Sequence, residues 1–243
     1  MKFKKPKHVV IAIPAYTGDV KVGTFRSVLA DVLRLYDRGD TVQIVEETGN
    51  ADISLCRAMI VAKFMAIEGP THLVMIDSDV AWQPGSLPRL IDSGHDFSAG
   101  IYPRRTDDSQ GRFHVHMMEG PTQTIGEDGW LEVEAVPAGF ICLKRTMLQA
   151  MIAKYDEELK ISFAQCPNGV AWDLFDGVRY KDDAGLTHKW GEDYSFCKRW
   201  RAMGGKIYVD PNIAMGHVGL KIWKGALAEA MKPVEAPTSS EAA

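Results

Sequence analysis

Two aspartates one residue apart, Asp77 and Asp79, are the residues whose type and spacing most directly suggest chemistry. They follow residues 73–76, a short apolar run without polar alternation, which is typical of a strand buried on both faces. Ligands of such sheets gather outside the carboxyl ends of the strands. Two carboxylates there repel one another unless a cation lies between them, and Mg²⁺ or Mn²⁺ bridging phosphate oxygens would fit. The alternative is that the pair only solvates a strand end and caps the following residues.

Composition bounds the class of protein. A chain of 243 residues with 46% hydrophobic residues can form one large α/β domain or two small ones. The net charge of −4 provides no global basic field for nucleic acid or anionic lipid, without excluding a local basic patch. The four cysteines are far apart and lack metal-binding spacing, which favours reduced core thiols. No apolar run is long enough for a signal peptide or membrane span, so we expect a soluble, cytoplasmic protein.

The loop after the first apolar run could hold a nucleotide base. Residues 9–13 predict a strand, and Pro14-Ala15-Tyr16-Thr17-Gly18-Asp19 then supplies a rigid turn, an aromatic ring and small polar groups. An ordinary turn with Tyr16 packed inward is the alternative. Apolar residues at positions 25, 28, 29, 32, 33 and 36 predict an amphipathic helix, and residues 41–45 predict the next strand.

Arg57 lies near the start of a predicted helix, with Ser54 as its N-cap and residues 58–67 as its apolar body. A basic residue in the first turn opposes the helix dipole, so an anionic ligand in front of the helix would explain it. A salt bridge to Asp52 or Glu47 is the alternative.

The second half of the chain has weaker patterns. His114 and His116 alternate with apolar residues, which favours an exposed strand face over a metal site. Residues 158–190 scatter aromatic residues among Asp and Gly, which fits a sugar-handling loop as well as a packed insertion; these are Trp172, Phe175, Tyr180 and Trp190.

Two polar sites stand close to the end of the chain. Glu192 and Asp193 open a predicted helix over 194–203, where capping and the helix dipole alone would favour acids. His217 lies in the segment Gly-His-Val-Gly, and a histidine between small residues is as open as a ligand would be. The Ala/Glu-rich and then Pro/Ser/Thr-rich residues 226–243 predict a flexible tail.

Taken in order, several segments resemble the GT-A glycosyltransferases, in particular the compact family-2-like enzymes of bacteria and phages. The segments are VVIAIPAYTG, ISLCRAMIV, HLVMIDSDV, AGIYPRR, AGFICLKR, WGEDYSFCKRWRAMGGKIYVDP and GHVG, and together they span about residues 9–223. The resemblance implies a Rossmann-like α/β fold with a mostly parallel central sheet flanked by helices. It implies one catalytic domain over residues 1–225, with a nucleotide-binding half at about 8–102 and an acceptor half at about 103–225.

The resemblance also implies roles for single residues. Asp77 and Asp79 would bind the nucleotide sugar through Mn²⁺ or Mg²⁺, with His217 completing the metal site. Asp193 would be the catalytic base, with Glu192 as the second choice. The expected nucleotide-sugar-binding residues are Pro14, Ala15, Tyr16, Thr17, Arg57, Asp77, Ser78 and Lys221. The chain departs from the family where Ala58, rather than Asn, follows the arginine, and where Glu46-Glu47 replaces an Asp pair.

The implied function is metal-dependent, inverting transfer of a sugar from a UDP-sugar, or a GDP-sugar, to an acceptor hydroxyl. The acceptor could be a glycan, a lipid-linked sugar, a protein or a modified base of phage DNA, and Arg104, Arg105 and Arg112 could face an anionic one. One alternative is a catalytically inactive GT-A-like binding protein. A sugar-nucleotide nucleotidyltransferase, which has a similar fold, is the other alternative, although no Gly-rich, Lys-bearing loop follows the first strand. A haloacid-dehalogenase-like phosphatase would carry its Asp pair nearer the N-terminus.

Overall fold

The computed structural model describes residues 5–106, 113–120 and 123–231. Its strands are β1 (His8–Ala15), β2 (Thr41–Thr48), β3 (His72–Ile76), β4 (Val80–Trp82), β5 (Phe97–Ala99), β6 (His116–Met117), β7 (Leu131–Ala135), β8 (Phe140–Lys144), β9 (Lys160–Ser162), β10 (Val170–Trp172), β11 (Arg179–Lys181), β12 (Thr187–Lys189), β13 (Ile207–Val209), β14 (Met215–Val218) and β15 (Ile222–Gly225). Its helices are α1 (Val22–Asp37), α2 (Ile53–Ala66), α3 (Ser86–Ile91), α4 (Arg145–Leu159), α5 (Glu192–Ala202) and α6 (Leu227–Ala230), with a 3₁₀ turn at Pro167–Gly169.

The largest sheet has eight strands in the order β2-β1-β3-β8-β5-β13-β7-β6. β1 pairs in parallel with β2 and with β3, and β5 pairs in parallel with β13. β8 and β7 run against their neighbours, so the sheet is mixed. The carboxyl ends of β1, β2 and β3 therefore meet at one edge, and Asp77 follows β3 at that edge.

The apolar runs of β1 and β3 are buried on both faces, as their sequences predict. Side chains alternate along a strand, so Val10, Leu73 and Met75 join one core cluster while Val9, Ile11 and Val74 join the other. Helix α2 packs in the first cluster and α3 in the second. The α/β arrangement of helices around a central sheet follows from these two covered faces.

Helix α1 forms where it is predicted, but most of its predicted apolar face is turned outward. Phe25, Leu29, Leu33 and Tyr36 are exposed by 58%, 46%, 55% and 53%. The buried positions are Thr24, Ser27, Val28, Asp31 and Leu35. Polar anchoring explains the rotation, because the Asp31 carboxylate accepts hydrogen bonds from Trp82 Nε1 and Leu87 N, both at 2.9 Å.

Helix α2 begins earlier than predicted, and its N-cap is Asp52 rather than Ser54. The Asp52 carboxylate accepts from the backbone N–H of Ser54 at 3.0 Å and of Leu55 at 3.3 Å. Arg57 therefore lies in the second turn of the helix, and a conflict with the helix dipole does not explain it.

The second half differs from its prediction in three places. His114 and His116 are half-buried rather than on an exposed face. Residues 158–190, predicted as irregular, contain the hairpins β9–β10 and β11–β12, with Phe175 buried and Tyr180 exposed. Ala226 and Leu227, placed in the predicted tail, are buried. Arg112 and residues 232–243 lie outside the described residues. Within the described residues, no helix has the length and apolar character needed to cross a bilayer.

Candidate active site

A cleft of about 360 Å³ opens where β1, β2 and β3 end. Its described lining consists of Pro14, Tyr16, Asn50, Ala51, Ile53, Cys56, Arg57, Asp77, Ser78, Asp79 and Glu192. A larger groove of about 640 Å³ lies beside α1, but the described residues that line it include no carboxylate. The smaller cleft holds the acidic residues and is therefore the candidate site.

Asp77 is held tightly at the end of β3. Its backbone N–H donates to the carbonyl of Gly139 at 2.9 Å, and its Oδ1 accepts from Arg57 Nη2 at 3.1 Å. A Cβ atom at Gly139 would lie 2.6 Å from both Asp77 Oδ2 and the Tyr102 hydroxyl, so a glycine is required there. Burial raises the pKa of Asp77, and the charge of Arg57 opposes that increase.

Arg57 places a buried positive charge at the floor of the cleft. Its Nη2 also lies 3.9 Å from Glu192 Oε1, and its Nε and Nη1 have no hydrogen-bond partner in the part of the chain that the structure describes. The predicted alternative, a salt bridge to Asp52 or Glu47, is wrong: Asp52 caps α2, and Glu47 pairs with Lys63 at 2.7 Å. Arg57 instead links carboxylates from β3 and α5.

Asp79 lies beside His217, which β14 places across from β4. The distance from His217 Nε2 to Asp79 Oδ1 is 3.8 Å. The Nδ1 of His217 is 3.1 Å from the carbonyl of Pro103 and must donate to it, so the lone pair of the neutral ring is on Nε2, towards Asp79. Burial and the nearby Arg105 lower the pKa of His217, which favours that neutral form.

Arg105, expected to face an acceptor, instead forms an ion pair with Asp79. Its Nη2 also donates to the carbonyl of Val218 at 2.9 Å. A guanidinium thus supplies positive charge to Asp79 at the place where a metal was expected.

The predicted three-ligand metal site is only partly assembled. Among the described residues, no three His, Cys, Asp or Glu side chains converge as a ready ion site. Asp79 and His217 do come together, while Asp77 pairs with Arg57. A carboxylate beside an imidazole of fixed tautomer suits Mn²⁺, and Mg²⁺ less well, because Mg²⁺ prefers oxygen ligands.

Glu192 and Asp193 lie in the first turn of α5. Glu192 lines the cleft, and Asp193 is half-buried, with one carboxylate oxygen accepting from the Tyr194 N–H at 2.7 Å. Burial, and then the neighbouring charge of Glu192, raise the pKa of Asp193 to about 6. A carboxylate with this pKa is a suitable proton acceptor near neutral pH.

The remaining residues that were predicted to bind the nucleotide sugar lie either at or just after the end of β1 or outside the described cleft lining. Pro14 and Ala15 end β1, with Pro14 in the cleft wall and Ala15 buried. Tyr16 is 63% exposed, so the inward-packed alternative is wrong, and Thr17 is exposed in the turn that follows. Lys221 lies in the turn after β14, outside the described cleft lining, with its Nζ 5.2 Å from the centroid of the Trp223 ring.

The sequence prediction omitted several residues that shape the site. Asn50 and Cys56 line the cleft. Asn50 lies in the polar loop after β2 and Cys56 in helix α2, and the sequence predicted both segments without assigning these two residues to the site. Tyr102, whose ring centroid lies 4.9 Å from that of His217, and Gly139 carried no local signal. Their contacts depend on β8 inserting between β3 and β5, which only long-range pairing creates.

The chain matches no family model, and no curated protein matches it. Among solved structures it is similar to A197 from STIV, with a TM-score of 0.54 and 16% identity over 91% of each chain. It is also similar to 4-diphosphocytidyl-2C-methyl-D-erythritol synthase from Anaerococcus prevotii DSM 20548, with a TM-score of 0.34 and 13% identity over 64% of this chain and 78% of that chain. The second likeness is too weak to carry an argument. The first shows the fold alone: a GT-A-like α/β fold with a central sheet flanked by helices, as predicted.

Proposed function

We propose that the protein is a glycosyltransferase that moves a sugar from a nucleotide-diphosphate sugar, with a UDP-sugar as the first choice, to an acceptor hydroxyl. The observation that carries the proposal is the position of Arg57, 3.1 Å from Asp77 and 3.9 Å from Glu192. One buried cation thereby joins the two acidic ends of a single cleft. A GT-A-like fold supports the same assignment.

The Asp77–Asp79 end of the cleft would bind the leaving diphosphate. Asp79 and His217 would hold Mn²⁺ or Mg²⁺ once Arg105 moves from Asp79, with Asp77 as the third proposed ligand. The bound cation would neutralise the negative charge that grows on the departing diphosphate. Arg57 adds a fixed positive charge there, and Arg105 and Lys221 are proposed to add theirs to the phosphates.

The first turn of α5, which reaches the cleft through Glu192 while Asp193 lies outside the described lining, would activate the acceptor. Asp193, with its pKa of about 6, is ionised at neutral pH and still basic enough to take the proton of an acceptor hydroxyl. Glu192 is the second choice because it faces Arg57. A base opposite the leaving group implies direct displacement, and hence inversion at the anomeric carbon.

The nucleotide base would lie at the exposed ring of Tyr16, beside the turn formed by Pro14, Ala15 and Thr17 and the backbone of Ser78. The amide of Asn50 also lines this part of the cleft and could bind base edges. Glu47 is paired with Lys63 and is therefore not proposed to recognise the base.

The test combines thermal shift with product analysis on a panel of UDP- and GDP-sugars, with and without Mn²⁺. We expect one donor to raise the melting temperature and, with water as the acceptor of the sugar, to release its nucleoside diphosphate only with the metal. Asp193→Asn should keep the thermal shift and lose turnover by about 10²-fold or more, because a general base is removed. Asp79→Asn should lose both.

Asp183→Asn, in the exposed turn after β11, is the matched control and should leave both readouts unchanged. Binding of no donor would contradict the proposal, and binding without turnover would indicate the inactive binding protein. Formation of a nucleoside triphosphate and a sugar 1-phosphate when pyrophosphate is added to the donor would identify a nucleotidyltransferase. Full turnover by Asp193→Asn would reject this residue as the base.

A further inference from the structure

A row of four large apolar side chains is exposed on the outer side of α1. Phe25, Leu29, Leu33 and Tyr36 recur at a spacing of three or four residues and are all about half exposed or more. The buried side of the helix combines the polar residues Thr24, Ser27 and Asp31 with Val28 and Leu35. Turning large apolar side chains to water while burying polar ones is unfavourable for an isolated protein, so this face has the character of an interaction surface.

The face continues onto the hairpin formed by β14 and β15. Leu29 and Leu33 of α1 and Ile222 of β15 all line the groove of about 640 Å³. Leu220, in the turn of the same hairpin, is fully exposed. We call Phe25, Leu29, Leu33, Tyr36, Leu220 and Ile222 the α1 face.

Basic residues predominate in the two segments that carry the α1 face. Residues 16–37 and 219–225 carry five exposed basic side chains and two exposed acidic ones, Asp19 and Asp37. The basic side chains are Lys21, Arg26, Arg34, Lys221 and Lys224. The chain as a whole has a net charge of −4, so this positive rim is local.

We infer that the α1 face binds the surface of an anionic lipid bilayer. Apolar side chains on one side of a helix enter the boundary between headgroups and acyl chains, while lysine and arginine contact the lipid phosphates. A symmetric contact with a second copy would bring one positive rim against another, which like-charge repulsion disfavours.

The α1 face adjoins the candidate active site. The backbone N–H of Lys21 donates to the carbonyl of Ser78 at 2.9 Å, within the Asp77–Asp79 segment. The hairpin that carries Leu220 also carries His217. A bilayer on this face would therefore lie next to the cleft. Binding of the bilayer does not depend on the proposed function. Presentation of the acceptor from the bilayer does depend on it.

The test is co-sedimentation of the full chain with vesicles of phosphatidylcholine, alone or mixed with phosphatidylglycerol. We expect binding to the mixed vesicles only, and loss of binding at about 1 M salt, where the screening length falls to about 3 Å. Leu29→Gln combined with Leu33→Gln should weaken binding on the order of tenfold or more, because two apolar side chains that would enter the bilayer are lost. Arg26→Gln combined with Lys224→Gln should weaken both binding and its salt dependence.

Leu186→Gln is the matched control, since Leu186 is an exposed leucine in the turn between β11 and β12. An unchanged melting temperature will establish that each variant is folded. Absence of binding to the mixed vesicles, or an equal loss with Leu186→Gln, would overturn the inference. Light scattering that shows a dimer dissociated by the Leu29 and Leu33 substitutions would assign the face to a second copy instead. Vesicle binding without any sugar transfer would contradict the proposed function alone.

Discussion

The residues around Asp77 are packed so closely that each position accepts few other side chains. The carboxylate of Asp77 meets Arg57 on one side, while its other oxygen lies over Gly139. Tyr102 approaches the same glycine, and burial raises the pKa of its hydroxyl well above the ordinary value, so it is neutral. The position of Asp77 therefore depends on a neighbour that performs no chemistry.

Gly139→Ala is expected to displace the carboxylate of Asp77. The added Cβ would lie 2.6 Å from Asp77 Oδ2 and from the Tyr102 hydroxyl, so one of them must move. We expect a stability loss of about 1–3 kcal/mol from overpacking, together with loss of the donor-dependent thermal shift. Urea unfolding and thermal shift measure the two effects. Gly126→Ala, where the nearest atom belongs to the side chain of Asp128, is the control remote from the cleft.

Asp193 should make stability depend on pH. Its folded pKa of about 6 lies above the ordinary value of 3.8, so its ionised form is disfavoured in the folded state. The contribution of Asp193 to stability is therefore most favourable below pH 3.8 and is lost as the pH rises through about 6. Above about pH 6, Asp193→Asn should be more stable than the parent by up to about 3 kcal/mol, and by less in practice because partial exposure screens the charge.

Urea unfolding at about pH 8 and about pH 3 measures this difference, which should vanish at the lower pH because the parent carboxyl is then largely protonated in both states. The exposed Asp183→Asn variant should show no comparable change. A lower stability of Asp193→Asn at the higher pH would contradict the assigned direction of the pKa.

At the scale of elements, polar anchors decide how α1 lies on the sheet. The Ser27 hydroxyl exchanges hydrogen bonds with the backbone of Trp82, at 3.0 Å from its N and 2.9 Å from its O. Asp31 accepts from Trp82 Nε1 and from the backbone at the start of α3. These bonds orient α1 towards β4, and β4 pairs with the strand that carries His217. The helix thereby supports the candidate site without contributing a side chain to its described lining.

Asp31→Ala should destabilise the fold more than any exposed change in α1. It would leave Trp82 Nε1 and Leu87 N buried without their acceptor, at a cost of about 2–4 kcal/mol. Asp37→Ala, at the exposed end of the same helix, should cost less than about 0.5 kcal/mol. Urea denaturation compares the two variants, and equal losses would show that Asp31 is not an anchor.

At the scale of the whole molecule, all four cysteines are buried in apolar clusters. Cys56 and Cys197 lie in the cluster on one face of the sheet, Cys142 lies in the cluster on the other face, and Cys166 lies in a third, smaller cluster. The thiols are free, as the sequence predicts. Burial raises the pKa of Cys56 to about 11 and that of Cys142 and of Cys197 to about 12. Reactivity requires the thiolate, so these groups should be inert in the folded protein.

Titration with a thiol reagent at about pH 8 should find no rapidly reacting group in the folded protein and four after unfolding in denaturant. Cys56 is the most sensitive probe because it lines the cleft. Rapid labelling of Cys56 in the native protein would mean that the cleft opens more than the structure shows.

Local pattern was sufficient for the central strands β1 and β3 and for the acidic pair, but not for the hairpins of residues 158–190. The runs of β1 and β3 admit one solution, burial on both faces, because an unbroken apolar strand has no side to offer to water. Acidic residues at Glu192 and Asp193 favour the start of a helix through the helix dipole. The GT-A-like fold was implied by the resemblance of the segments, in their order, to that family. The positions of Asp77 and Asp79 at the end of β3 were set by the chain itself.

Contacts between distant residues were not encoded in any local pattern. The spacing of apolar residues in α1 allowed two orientations, and bonds from Asp31 to β4 and α3 selected the one with Leu29 and Leu33 outside. Arg57 pairs with Asp77 and Arg105 pairs with Asp79 only because the folded chain brings together segments that are far apart in sequence. Periodicity records which residues avoid water, whereas the choice of partner depends on long-range packing and desolvation, which appear only when the chain is folded.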